Sequence, residues 1–434
     1  MSVNEALQDV CRRRRGRPAL RLSSEALDYE NLLDRIEARA ESIAGTGPVA
    51  LLSLDAREPL AFMVDFFAAR RLGRTAVIHA EGVPPLLRAR REQSLLGFLQ
   101  PFSSETVFYS SGTVGSGKAI PLSDEQLLIA ALAFPPSATI ESTDRVAIAV
   151  PLGQIFGFVR GVLNGLLVGA ETIVYSPRRD AIGEGAALGA TLALISASQA
   201  RLAAEVPGRA ALRGVLSGGG PMAEGVAQKI EAERGVPFRL GYGLTESSGL
   251  GARQSLDRPR CTGSTGLPAP GLTVTIDAGG SLAAPGQTGE ILLSGPAVFR
   301  GYADPAEASP LDAARRLHSG DLGFLDSEGE LHVRGRAVSS IAAHGRYLCA
   351  EELEAAVLEK PGIAEAAAIP LGDAFGLLLV AEDPSEAFLQ QVREHVSRRF
   401  PAFARPRRLR LVETIPRSPS GKLDRLAAAR CFQT

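Results

Sequence analysis

The sequence predicts an α/β protein: a large amino-terminal domain of mainly parallel sheets carrying a β-rich subdomain, then a small α+β carboxy-terminal domain. Three observations predict it. Short apolar runs alternate with helix-period segments through the first half of the chain, which is the pattern of strands joined by crossover helices. From Gly263 the texture turns to short strands punctuated by Gly and Pro, and beyond Arg336 to a mixed pattern of the size of one small domain. A chain of 434 residues has room for two or three such units.

Taken in order, helical patterns cover 29–42 and 59–71, and apolar runs at 48–54, 75–79, 146–150, 171–175 and 192–196 read as buried strands. Strands are expected at 273–276, 289–294 and 323–334 in the β-rich part, which spans about 263–336. The last domain, 337–434, reads as a helix at 351–359, strands at 364–370 and 377–381, a helix at 384–400 and a strand at 409–413. Residues 337–340, between domains 1–336 and 337–434, are the natural place for a hinge.

Composition narrows the function. A formal net charge of -1 argues against a polyanion partner held by bulk charge, so no nucleic acid is expected. The basic cluster Arg12 to Arg15 with Arg17 reads as a solvated helix end. Cys11, Cys261, Cys349 and Cys431 lack the spacing of a disulfide framework or a zinc site, and the five histidines lack ligand spacing. The first twenty residues carry charges where a signal peptide needs an apolar core, and the most apolar stretch, 146–175, is broken by Arg160 and by glycines. A cytoplasmic protein with no membrane span is expected.

Chemistry concentrates in a few segments. Tyr109-Ser110-Ser111-Gly112-Thr113-Val114-Gly115-Ser116-Gly117-Lys118 is a strand end running into a loop whose glycines let backbone N–H groups approach phosphate oxygens, with hydroxyls and a lysine adding donors and charge. Gly112 to Lys118 also has the G-x-x-x-x-G-K spacing of a P-loop, but Ala119 stands where that motif needs a magnesium-binding hydroxyl. Further on come Ser217-Gly218-Gly219-Gly220-Pro221-Met222, Gly241-Tyr242-Gly243-Leu244-Thr245-Glu246, Ser319-Gly320-Asp321, Gly335-Arg336, Gly345 followed by Glu352-Leu353-Glu354, and Pro416-Arg417-Ser418-Pro419-Ser420-Gly421-Lys422. By themselves Tyr242 to Glu246 and Asp321 read equally as turns, and Lys422 as a solvated lysine in a tail that also holds Arg405, Arg407, Arg408 and Arg410.

In this order the segments resemble the motifs of the adenylate-forming superfamily of acyl-CoA synthetases, peptide-synthetase adenylation domains and luciferases, from Tyr29 to Arg425. The resemblance implies that the chain activates a carboxylic acid with ATP and hands the acyl group to a thiol, and that its carboxy-terminal domain is mobile. It implies that Ser110, Ser111, Gly112, Thr113, Gly115, Ser116, Gly117 and Lys118 hold phosphates. Gly219, Gly220, Gly241, Tyr242 and Gly243 lie by the adenine, Thr245 donates to the α-phosphate, and Glu246 holds Mg2+. Asp321 accepts the ribose hydroxyls, Arg336 contacts the ribose or phosphate side, and Lys422 bridges carboxylate and α-phosphate as charge shifts between them.

Departures from the pattern bear on the second half-reaction. Val114 and Gly117 replace a hydroxyl residue and a proline, Gln154 stands where a histidine or aromatic residue is usual, and Val338, Ser339 and Ala342 alter the hinge. The loop begins already at Tyr109, so part of the usual amino-terminal lobe is expected to be missing. The resemblance implies coenzyme A or the phosphopantetheine of an acyl carrier protein as the acceptor. No acidic residue occurs in the pocket segments 150–161, 193–197 and 216–220, which favours an aryl or short-to-medium acyl acid over an α-amino acid, with Gln154, Ser196, Ser198 and Gly241 as contacts. Two other readings stand beside this one: a P-loop ATPase or kinase, and a degenerate nucleotide-binding interaction protein.

Overall fold

The computed structural model describes residues 1–45, 51–98, 105–110, 117–220, 222–343, 346–372, 374–383, 385–400, 402, 405–417 and 423–432. They form two compact units, Met1–Val274 with Leu293–His318, and Thr275–Leu292 with Ser319–Thr434.

The first unit contains two sheets. One has four strands in the order Leu51–Asp55, Thr75–His79, Glu105–Tyr109 and Ala119–Ser123, the first three parallel and the last antiparallel. Thr75–His79 is buried at every position, as a strand covered on both faces requires. The other sheet has nine strands, and its core of Phe238–Gly243, Gly214–Gly218, Leu192–Ser196, Arg145–Ile148, Glu171–Val174 and Pro18–Arg21 is parallel throughout. Antiparallel pairing is confined to its margins.

Helix Pro59–Arg71 starts with proline, whose missing N–H costs nothing in the first turn, and buries Phe62, Met63, Phe66 and Phe67. Phe158 meets Phe62 and Phe66 edge-on at 5.1 and 4.7 Å, tying that helix to the wide-turn π-helical segment Phe156–Leu163. The amino-terminal helix Val3–Arg13 ends in Arg12 and Arg13, both exposed, where a cation complements the helix dipole.

Most of a four-stranded sheet in the order Thr273–Asp277, Gly289–Ser294, Leu317–Leu325, Leu331–Arg336 belongs to the second unit. A three-stranded sheet of Ile363–Leu371, Ala374–Ala381 and Arg408–Leu411 follows, packed with helices Ala350–Leu358 and Glu386–Arg399 through Leu353, Val357, Phe375, Leu377, Val392 and Val396. Among the described residues no helix is long and apolar enough to cross a membrane.

Two features differ from expectation. The run 323–334 is a hairpin rather than one strand, because Asp326 accepts the backbone N–H groups of Glu328 and Glu330 and turns the chain. The compact units also divide elsewhere than at 336/337. Arg334 pairs with Glu352 at 2.7 Å, and a Cβ on Gly335 would collide with Glu351 and Cys349, so the hairpin coheres with helix Ala350–Leu358. Residues 337–340 hold a single turn of 3-10 helix, Ala337–Ser339, with Val338 exposed and the Ser339 hydroxyl donating to Glu351.

Candidate active site

The root of the phosphate-loop candidate is tightly built. Strand Glu105–Tyr109 runs into Ser110, whose backbone N–H donates to the Lys118 carbonyl at 2.9 Å while its hydroxyl accepts the Lys118 N–H at 2.9 Å. Gly117 has φ 74, and a Cβ there would lie 2.7 Å from the Ser110 carbonyl oxygen, so only glycine closes this neck. Below it the Arg91 guanidinium sits 4.1 Å from the centre of the Tyr109 ring, and Tyr109 stacks on His79. Residues Ser111, Gly112, Thr113, Gly115 and Ser116 lie outside the described residues. Lys118 leads into strand Ala119–Ser123, antiparallel to Glu105–Tyr109. A P-loop opens into a helix, so the P-loop reading does not hold for this chain.

Lys118 lies among charges that are distant in sequence. Its ammonium is 3.1 Å from Glu307 and 4.6 Å from the centre of the Tyr302 ring, and the Tyr302 hydroxyl donates to Glu246 at 3.2 Å. Glu246 is fixed in turn: its carbonyl accepts the Phe299 N–H at 2.7 Å, and Ser248, with φ 57, closes the turn Thr245–Ser247 by donating its hydroxyl to Ala297. The segment from Gly241 to Glu246 is half-exposed throughout, while Ser247 and Ser248 are buried. It therefore forms a rim over a fixed base. Tyr302 and Glu307, absent from the residues picked out in the sequence, join the loop's lysine to the carboxylate proposed for the metal. No local pattern around Tyr302 announced this.

The acyl-pocket candidates separate. Gln154 is exposed, at the start of the bend into Phe156–Leu163. A Cβ on Gly153 would sit 2.5 Å from the Ala80 Cα, so this bend is pressed against the end of strand Thr75–His79. Ser196 is the N-cap of helix Ala197–Ala204, its hydroxyl accepting the Gln199 N–H at 3.3 Å while Gln199 reaches back to Ser196 N at 2.8 Å. The Ser-x-x-Gln spacing was legible as a capping box, which competes with the role of substrate contact; exposed Ser198 is 3.0 Å from the same hydroxyl. Gly219, with φ 78, and Gly220 follow strand Gly214–Gly218, and Gly241 would admit a Cβ at ordinary contact distance from the protein.

In the second unit, Asp321 and Arg336 face each other across the hairpin. The Arg336 guanidinium donates to the Asp321 carboxylate at 2.8 Å and to the Ser319 carbonyl at 3.1 Å, and Asp321 is only 6% exposed. The two residues assigned to the ribose are thus one ion pair. Lys422 lies outside the described residues; the ends of its loop are tied, Arg417 pairing with Leu423 and Asp424 donating its N–H to Pro416 at 2.9 Å. Glu351 and Glu354 both grip Arg425, which reads as bracing.

Parallel sheets bearing a Ser/Gly loop that ends in lysine, with a separate α+β carboxy-terminal unit, define a class: the adenylate-forming α/β enzymes. Residues 99–303 match the family model of AMP-binding enzymes, and residues 352–422 match that of the AMP-binding enzyme C-terminal domain. The chain belongs to this family. It is 31% identical to a 4-coumarate--CoA ligase-like protein of Arabidopsis thaliana over 74% of this chain and 60% of that protein. It is 29% identical to the 2-succinylbenzoate--CoA ligase of Enterococcus faecalis over 79% of this chain and 73% of that one. The crystal structure of an anthranilate CoA ligase in complex with anthranoyl-AMP shares the fold, with a TM-score of 0.86 at 20% identity, covering 100% of this chain and 98% of that one. The chain spans about three fifths of the length of the curated plant relatives it matches.

Proposed function

We propose that this protein is an ATP-dependent acid-thiol ligase, joining a carboxylic acid to AMP with release of pyrophosphate and then passing the acyl group to a thiol. The observation that carries the reading is the Lys118–Tyr302–Glu246 cluster, which gathers a phosphate-loop cation and a hard-oxygen metal ligand around one tyrosine. Glu246 is half-exposed and follows half-exposed Thr245 in the chain, and its carboxylate is the hard-oxygen ligand that Mg2+ takes. Bound Mg2+ would neutralise charge on the phosphates of ATP. Lys118, held meanwhile by Glu307, would exchange that carboxylate for phosphate oxygens. Tyr242 would stack on adenine, the Asp321–Arg336 pair would take the ribose side, and Lys422 would bridge the attacking carboxylate and the α-phosphate.

The chain's own composition favours this use of its lysines. Of its 47 basic side chains only Lys118, Lys229, Lys360 and Lys422 are lysines, and two of these end the two loops that the reaction needs. A compact ammonium on a flexible stem can follow a migrating charge where a planar guanidinium cannot.

The CoA-ligase names of the relatives support coenzyme A as the acceptor, with carrier-protein phosphopantetheine as the competing outcome. They also support an aryl or short-to-medium acyl acid. All four cysteines are free, which fits action in a reducing compartment such as the cytoplasm.

The test is acid-dependent exchange of labelled pyrophosphate into ATP over a panel of carboxylic acids, followed by thioester formation with coenzyme A. Lys422→Ala is expected to lower exchange by about a hundredfold or more, the scale of a lost transition-state contact. Absence of exchange with every acid would instead support the degenerate binding protein, and undiminished exchange in Lys422→Ala would remove that lysine from the mechanism.

A further inference from the structure

Arg160 and Arg253 are buried, at 3% and 7% exposure, on the π-helical segment Phe156–Leu163 and on strand Gly251–Arg253. Both guanidiniums lie over the Phe134 ring, 5.1 and 5.6 Å from its centre. Among the described residues their other polar partners are neutral: Arg160 donates to the Ala130 carbonyl, and Arg253 donates to the Thr139 hydroxyl at 2.7 Å. The Arg160 Nη2 has no hydrogen-bond partner among the described residues. Other buried arginines of this unit are matched with acids, Arg70 with Asp124, Arg234 with Asp180 and Arg239 with Glu231, while Arg91 lies over the Tyr109 ring. Two neighbouring guanidiniums taken out of water without a carboxylate are costly, and a third charge of opposite sign offsets that cost. Burial pushes Arg160 down to about 10 and Arg253 well below its usual value.

Their place in the fold says where that charge would come from. Arg253 pairs with Gly241 in the strand ladder, and its Cγ lies 4.0 Å from where a Gly241 Cβ would be. A Cβ on Gly249 would lie 3.6 Å from the Arg160 Cγ and 3.3 Å from Ile155. Both arginines therefore border the segment that carries Tyr242 to Glu246, and Arg160 lies on the helical segment that follows the Gln154 bend.

We propose that Arg160 and Arg253 form an anion-reading floor of the acyl pocket, so that the acid substrate carries a second negative group, a carboxylate or sulfonate, distal to the one activated. This rests on the adenylation reading above. A guanidinium fork suits either group, because its paired N–H donors match two oxygens of one anion.

The experiment measures pyrophosphate exchange with matched acids that differ only in the distal group: butyrate against glutarate, benzoate against isophthalate, and propionate against 3-sulfopropionate. In the wild type at least one charged member is expected to exceed its neutral partner in kcat/KM by about a hundredfold, the scale of a buried charge-assisted contact. In Arg160→Met that charged member should fall by a similar factor while its neutral partner stays within about threefold. Arg160→Lys, which keeps the charge and loses the fork, should lose at least about tenfold on the charged member alone, and it serves if the methionine variant does not fold. Neutral members used as well as charged ones, or an equal loss on both, would overturn the proposal. If no acid supports exchange, the adenylation reading fails and thermal shift decides this one. Glutarate or 3-sulfopropionate should then raise the wild-type Tm, with butyrate and the Arg160 variants giving no rise; no rise in the wild type overturns it.

Discussion

Arg70 and Arg160 are buried to the same degree, each 3% exposed, yet they face opposite surroundings. Arg70, on helix Pro59–Arg71, meets Asp124 at 2.7 Å and donates to the carbonyls of Arg74 and Glu105. Asp124 also accepts the Val3 N–H at 3.2 Å, so one carboxylate ties three elements of the first unit. Arg160 has a carbonyl and a ring. Burial pushes both guanidiniums down, and only for Arg70 does a carboxylate oppose it. The difference teaches that burial alone does not tell a brace from a binding group. What tells them apart is whether the counter-charge belongs to the chain.

The comparison can be broken most forcefully at Asp124. Asp124→Asn leaves Arg70 buried without its carboxylate, and urea unfolding should show a loss of about 3–5 kcal/mol. The double change Arg70→Met with Asp124→Leu should recover most of it, since an apolar pair of similar volume needs no counter-charge. A cost below about 1 kcal/mol for Asp124→Asn would mean that Arg70 is no brace.

A smaller effect of different sign is expected at the other arginine. Arg160→Met removes a charge that has no acid among the described residues, so unfolding free energy should stay within about 1 kcal/mol of the wild type or rise. A loss as large as that of Asp124→Asn would make Arg160 a brace too and erase the contrast.

The smallest effect sharpens the comparison by reversing the sign of the charge. Burial disfavours the charged form whichever sign it has, and it pushes the Cys11 and Cys349 thiols up to about 12. Thiol titration of the native protein at about pH 8 should therefore modify only the half-exposed Cys261 and Cys431, with Cys11 and Cys349 reacting after unfolding. Fast modification of Cys349 in the native state would show that its surroundings open readily.

Much of the architecture was legible because its signals are local. Strands Thr75–His79 and Leu192–Ser196 and helix Pro59–Arg71 lie where apolar runs and the proline start place them. The box Ser196-x-x-Gln199 was equally legible as a helix start, though the serine was read as a substrate contact. The hairpin in 323–334 was missed because strand pairing and the turn at Asp326 outrank the apolar pattern. The phosphate-loop candidate was ambiguous in sequence, and the antiparallel pairing of Ala119–Ser123 with Glu105–Tyr109 speaks against its P-loop alternative.

The sequence by itself determined the α/β class, the order of the motifs and the candidate chemical groups, because periodicity, turn residues and motif spacing are properties of neighbours along the chain. Only the tertiary structure decided which charges meet. Lys118 finds Tyr302 and Glu307, Arg70 finds Asp124, and Arg160 and Arg253 meet over Phe134 with no acid beside them among the described residues. The physical reason is that an ion pair or an uncompensated charge is defined by distance and burial. Neither exists until segments far apart in the chain have packed together.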